Sequence, residues 1–145
     1  MPNRYDFWVH GIDVRISDWS AVQNRDLRGW GTRIVQAQGS SNWFLFAVPT
    51  PTILDGDDAT CHGLFLSGQI DSKATIDRVT IHRSGDGQPL GDWQVSLSAR
   101  DLGEWYDLGN IPCQRALTLC VHVNFDGPGN GEVQFDGVGG RFEEP

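Results

Sequence analysis

The side chains with chemistry to offer are four histidines, six tryptophans and one acidic turn. Histidine changes charge near neutral pH, so a His beside a carboxylate is the simplest acid–base pair available. His10 with Asp13, and His122 with Asp6, are the candidate catalytic pairs. Either would suit a cofactor-independent lyase, isomerase or cyclase working in an aromatic pocket. His10, His62, His82 and His122 all fall in or next to strand patterns, and no two have the close spacing that marks a zinc site. Satisfied single histidines are therefore the default expectation. Asp55, Asp57 and Asp58 offer hard oxygen ligands that calcium prefers, but Asp55-Gly56-Asp57-Asp58 lacks the alternating order of an EF-hand loop. A solvated turn is the plainer reading, and the sequence calls for no metal or cofactor.

Tryptophan is the strongest compositional oddity, at six in 145 residues. A large ring set against a sugar face or an apolar ligand is a common recognition device. Trp43 and Trp93 read as core. Trp8 shares a parity with Asp6 and His10, opposite the Tyr5, Phe7 and Val9 face. Trp105 sits beside Tyr106 in what reads as a loop, Leu102–Asp107. Trp30 stands between Gly29 and Gly31. Trp8, Trp30, Trp105 and Tyr106 are thus the candidate ligand contacts, joined by Asn124 on the outward row Thr118, Cys120, His122 and Asn124.

Other chemistries are excluded by what is missing. There is no G-x-S-x-G, no P-loop and no G-x-G-x-x-G. Gly137-Val138-Gly139-Gly140 opens no helix and is not a phosphate cradle. Cys61, Cys113 and Cys120 make an odd count, which suggests reduced thiols inside a cell. Cys61 and Cys120 read as small core residues and Cys113 as an exposed loop residue. A net charge of −8 repels phosphate backbones and anionic membranes, so neither nucleic acid nor membrane is an expected partner. No apolar run approaches the ~20 residues of a membrane span. The start of the chain shows no signal peptide, which points to the cytoplasm unless this is a mature secreted form.

These residues must be positioned by strands. The chain fits one domain, residues 1–145, at 39% hydrophobic with 18 Gly and 7 Pro. Tyr5–His10, Thr32–Gln38, Asn42–Val48, Thr60–Ile70, Thr75–Arg83, Trp93–Ala99 and Leu117–Phe125 read as strands, with Glu132–Val138 and Gly140–Phe142 closing the set. A change of parity at Gly11 predicts a bend there. Asp-Gly pairs at 55–56, 86–87, 126–127 and 136–137 suit tight turns. Trp19–Leu27, with Ser20 as cap, is the one predicted helical turn. The pattern predicts a single all-β domain, an antiparallel β-sandwich or jelly roll of about eight or nine strands.

Three blocks carry a resemblance: Trp8-Val9-His10-Gly11, Gly29-Trp30-Gly31-Thr32, and Asn42-Trp43-Phe44 with Pro49-Thr50-Pro51. With Ile76–His82, Val121–Phe125 and Gly140-Arg141-Phe142, they resemble an uncharacterised family of small microbial proteins, a domain of unknown function. The likeness spans nearly the whole chain. It implies a compact, stand-alone β-sandwich and no established activity, so it transfers no catalytic residues. Three functions are consistent with the sequence. The leading one is a module that binds a carbohydrate or other small molecule on exposed Trp. The others are the acid–base enzyme above and a structural domain whose aromatic surface joins subunits into a homo-oligomer.

Overall fold

The alternation along Tyr5–His10 and Leu117–Phe125 becomes the inner and outer faces of two packed sheets. The computed structural model describes residues 3–54 and 56–144. The first strands are β1 (Arg4–His10), β2 (Arg15–Ile16), β3 (Val22–Arg28), β4 (Gly31–Gln36) and β5 (Ser40–Val48). A short ribbon follows, β6 (Ile53–Leu54) and β7 (Asp57–Asp58), then β8 (Thr60–Ile70), β9 (Thr75–Arg83) and β10 (Gly91–Leu97). The chain closes with β11 (Arg100–Pro112), β12 (Leu117–Phe125) and β13 (Gly131–Glu143). One six-stranded antiparallel sheet runs β11-β8-β13-β4-β3, with β1 joined to β13, and a five-stranded sheet runs β10-β9-β12-β5-β2. Among the described residues no helix is long and apolar enough to cross a membrane.

The core lies between the sheets. From β12 come Leu117, Leu119, Val121, Val123 and Phe125, all fully buried. Phe135 of β13 faces Phe44 and Phe46 of β5, with ring centroids 5.3 and 5.1 Å apart. Such offset and edge contacts add to the apolar area that drives the layers together. Around Phe135 the backbone itself is close-packed. A Cβ at Gly11 or Gly31 would collide with the Phe135 carbonyl, and one at Gly68 with the Gln134 carbonyl. The bend predicted at Gly11 is the 3-10 turn Gly11–Asp13, with Gly11 buried.

The register explains the crowding. β13 pairs with β8 along its length. On its other edge it pairs with β4 from Gly131 to Phe135 and with β1 from Gly137 to Glu143. The register shifts between Phe135 and Gly137, leaving Asp136 as the extra residue. The Asp-Gly pair at 136–137 is therefore a bulge inside one long strand and not a hairpin turn. The two strands expected at 132–138 and 140–142 are one.

Other expectations are corrected. The helical turn at Trp19–Leu27 is replaced largely by β3, because β4 offers its backbone a ladder of partners. Leu102–Asp107 is the middle of β11, paired with β8, and not a loop. Trp43 lies outside the core, on the outer face of the five-stranded sheet against His122, with ring centroids 4.9 Å apart. Trp93 does pack against the core, as expected. Cys113 is fully buried in the core with Cys61, whereas Cys120 is buried at 9% exposure outside the core cluster.

Two outcomes follow from this packing. Gly11→Ala is expected to lower stability by about 1–3 kcal/mol, as overpacking does, read as a lower urea midpoint. An unchanged midpoint would mean that the turn relaxes away from Phe135. Burial also pushes the Cys61 thiol up to about 12 and the Cys113 thiol up to about 11. A thiol reagent at pH 8 should leave the folded protein unlabelled and react with all three cysteines after unfolding. Fast labelling of any one of them in native buffer contradicts the burial.

Candidate functional site

The register sets four outward-facing residues side by side on the six-stranded sheet. Trp8 of β1 is opposite Gly139 of β13, Gly139 is opposite Phe65 of β8, and Phe65 is opposite Trp105 of β11. This aromatic row lines a pocket of about 190 Å³, open on its solvent side. Trp8 and Trp105 are 54% and 43% exposed, unusual for rings of this size in a well-packed domain.

Glycines decide how the rings lie. A Cβ at Gly139 would stand 2.7–2.8 Å from Cδ2, Cε2 and Cε3 of Trp8. Cδ2–Cε2 is the bond shared by the two indole rings, so the middle of the indole rests on the Gly139 backbone. The Trp8 ring meets Phe65 in a T-shaped contact, centroids 5.6 Å apart at 74°. Trp105 leans likewise over Gly63, where a Cβ would stand 2.7 Å from Cζ2. Both indoles are laid down on bare backbone.

The next rung brings a charged fork. Arg141 of β13 is opposite Asp6 of β1. Its Nε donates to Asp6 Oδ1 at 2.9 Å and its Nη2 donates to Oδ2 at 3.1 Å. The Arg141 guanidinium carbon is 5.7 Å from the Trp105 ring centre, within cation–π range. The hydrogen bond from Arg141 holds the Asp6 carboxyl below its usual range, and Asp6 raises Arg141 in turn. Asp6 is thus an ionised, occupied carboxylate and not a proton donor. One rung further, the Glu143 carboxyl accepts from Arg4 Nε at 3.2 Å and lies 2.7 Å from His62 Nε2. The His62 bond, with Arg4 behind it, holds Glu143 below its ordinary value.

The remaining candidates fall elsewhere. His10 Nε2 lies 2.8 Å from the Gly29 carbonyl and so carries the proton, while Nδ1 accepts from the Ile12 N–H at 3.1 Å. Both nitrogens are spent on backbone, and neither is left for Asp13. His10 is a pin between β1 and the turn that carries Trp30. Trp30 is exposed at that turn but does not line the pocket. Tyr106 is 5% exposed, packed on Trp93 with its hydroxyl buried and unpartnered, so it belongs to the core side of β11. Burial pushes that hydroxyl up to about 12.

His122 does have a carboxylate, but it is Asp77 of β9 and not Asp6. Its Nδ1 is 2.6 Å from Asp77 Oδ1, and Asn124 Nδ2 donates to Oδ2 at 2.5 Å. The β12 row faces β9, whereas Asp6 lies on the other sheet. An acid–base pair and an aromatic pocket both exist, on opposite sheets. Asp58 is exposed on β7, and Asp55 lies outside the described residues. Among the described residues no group of three or more His, Cys, Asp or Glu side chains is placed to hold a metal ion.

The sequence singles out Trp8 and Trp105 but not Phe65, Gly139 or Arg141, which line the same pocket. The signal for Gly139 was present. Glycines in mid-strand mark close approach of another group.

The chain belongs to a family of unknown function, DUF6623, whose model matches residues 1–143. Comparison with curated proteins finds no match. Among solved structures the chain is similar to TmCBM61 in complex with β-1,4-galactotriose. The identity is 16% and the TM-score 0.56, over 93% of this chain and 91% of that one. It is also similar to the CBM36-1 domain of a multidomain xylanase from the hindgut metagenome of Trinervitermes trinervoides, at 13% identity and a TM-score of 0.48, over 95% and 96% of the two chains. The xylan-binding module CBM15 matches at 13% identity and a TM-score of 0.49, over 98% and 97%. The first of these likenesses shows a shared β-sandwich fold.

The Asp6–Arg141 pair is about half exposed on both sides and is worth about 0–1 kcal/mol. Because the folded value of Asp6 is lowered, that contribution is present above the ordinary Asp value of about 3.9 and lost as pH falls through the folded value. Asp6→Asn should therefore cost little at pH 7 and nothing near pH 2, by urea unfolding at each pH. A stability gap that widens on acidification contradicts the pairing.

Proposed function

We propose that this protein is a non-enzymatic carbohydrate-binding module that takes its ligand on the outer face of the six-stranded sheet. The observation that carries this reading is the pair of exposed indoles packed over Gly139 and Gly63, with Phe65 between them in register. A pyranose presents C–H groups on its ring faces and hydroxyls around its edge. An exposed aromatic platform receives the first, and hydrogen-bonding groups beside it receive the second. The Arg141–Asp6 fork lies next to the platform and can both donate and accept there. Its internal bonds hold the two side chains in place before ligand arrives, which reduces the entropy lost on binding. The β-1,4-galactotriose held by the structurally similar TmCBM61 makes galactan a sensible first probe.

The geometry weighs against an enzyme at this pocket. No histidine lines it, and its carboxylate is tied to Arg141. The His122–Asp77 pair is the observation that keeps acid–base chemistry in view, yet it sits on the other sheet, away from the Trp platform. The buried free thiols suit the reducing cytoplasm expected from the cysteine count.

Trp8→Ala and Trp105→Ala are each expected to weaken binding to a neutral polysaccharide by at least about tenfold, equal to about 1.4 kcal/mol. Affinity electrophoresis and calorimetry measure this, with circular dichroism to show that the fold persists. Undiminished binding in both variants removes the platform from consideration. If instead the parent protein is oligomeric and both variants become monomeric, the exposed indoles form a subunit interface.

A further inference from the structure

The aromatic row runs across the strands and not along them. Trp8, Gly139, Phe65 and Trp105 occupy one rung of β1, β13, β8 and β11. Strands lie about 4.8 Å apart, so the row extends about 14 Å from the first backbone to the last. A pyranose built from bonds of about 1.5 Å, with its bridging oxygen, repeats about every 5 Å. One sugar would cover only part of this row. A single indole would then suffice, whereas both Trp8 and Trp105 line the same pocket.

Polar rungs run parallel to the row on both sides, each about 7 Å away along the strands. On one side lie Asp6 and Arg141, opposite each other in register. On the other side Ser67 is opposite Gly137, and its hydroxyl donates to Asp136 at 3.3 Å. A chain laid along the aromatic row would meet hydrogen-bonding groups at both of its edges.

The charges also select. Arg141 is neutralised by Asp6. Arg100, near the β11 end, is paired with Glu104 at 2.7 Å. Asp136 and Asp107 add exposed negative charge at the flanks of the row. The whole chain carries −8. An anionic sugar would bring charge to a face where, among the described residues, the arginines beside the row, Arg141 and Arg100, are already paired.

We infer that the ligand is a run of at least two neutral sugar units lying perpendicular to the strands, from Trp8 across Phe65 to Trp105. This rests on the carbohydrate-binding reading above and narrows it to a ligand class, orientation and minimum length.

The test is a ladder of neutral oligosaccharides, from monomer to pentamer, cut from whichever neutral polysaccharide the protein retains. A polyuronate of comparable length serves as the anionic probe, and calorimetry is run at low salt. Affinity should rise about tenfold from monomer to dimer or trimer and then level off. Trp8→Ala and Trp105→Ala should each flatten that rise, leaving shorter ligands less affected than longer ones. The polyuronate should bind at least about tenfold more weakly, most markedly at low ionic strength. A monomer that binds as tightly as the trimer overturns the extended ligand, and a polyuronate that binds as tightly overturns the neutral class. Failure to retain any polysaccharide overturns the carbohydrate reading itself, an outcome distinct from a flat ladder.

Discussion

Between Phe135 and Gly137 the backbone of β13 exchanges one neighbour for another, β4 giving way to β1, while β8 stays paired on the far side. The bulge at Asp136, in the ladder with β8, falls at this same exchange. The price is crowding. Gly11, Gly31 and Gly68 come from three other segments and meet at the same stretch of backbone. Each is glycine because a Cβ would meet a carbonyl oxygen. Phe135 fills the space on the inner side against Phe44 and Phe46. The bulge therefore ties the packing of the core to the order of strands on the surface, and that order creates the aromatic row.

The parts of this fold that could be read in the residues are those with strict alternation. Leu117–Phe125 shows its inward row at a glance, and its bounds match the strand β12. The parts that could not are those where tertiary pairing overrides local signal. Gly103, Gly109 and Asn110 make β11 look like a loop, and only its long pairing with β8 keeps it extended. Trp19–Leu27 carries a serine suited to capping a helix, yet β4 recruits Val22–Arg28 into the sheet.

The same limit applies to the site. Composition singled out Trp8 and Trp105 because six tryptophans need explaining. Their meeting depends on strand order, which alternation does not encode. Residues 8 and 105 become neighbours only through Gly139 and Phe65. The histidines mislead for the converse reason. His10 looks like a catalyst beside Asp13, but its nitrogens serve the Gly29 carbonyl and the Ile12 N–H. Asp77 could not be matched to His122 before the β9–β12 register was known.

The seat of Trp8 is made by Gly139, near the other end of the chain. A ribosome delivers these two residues far apart in time. Among the described residues β1 pairs in its sheet with β13 alone, so it cannot dock until β13 has been synthesised. Topologies dominated by such distant contacts close late and slowly. The Trp8–Trp105 face is thus among the last surfaces to assemble, together with the part of the core that Val133, Phe135, Val138 and Phe142 of β13 supply. The exposed row of Trp8, Phe65 and Trp105 is completed only once β13 has been made and has paired with both β8 and β1.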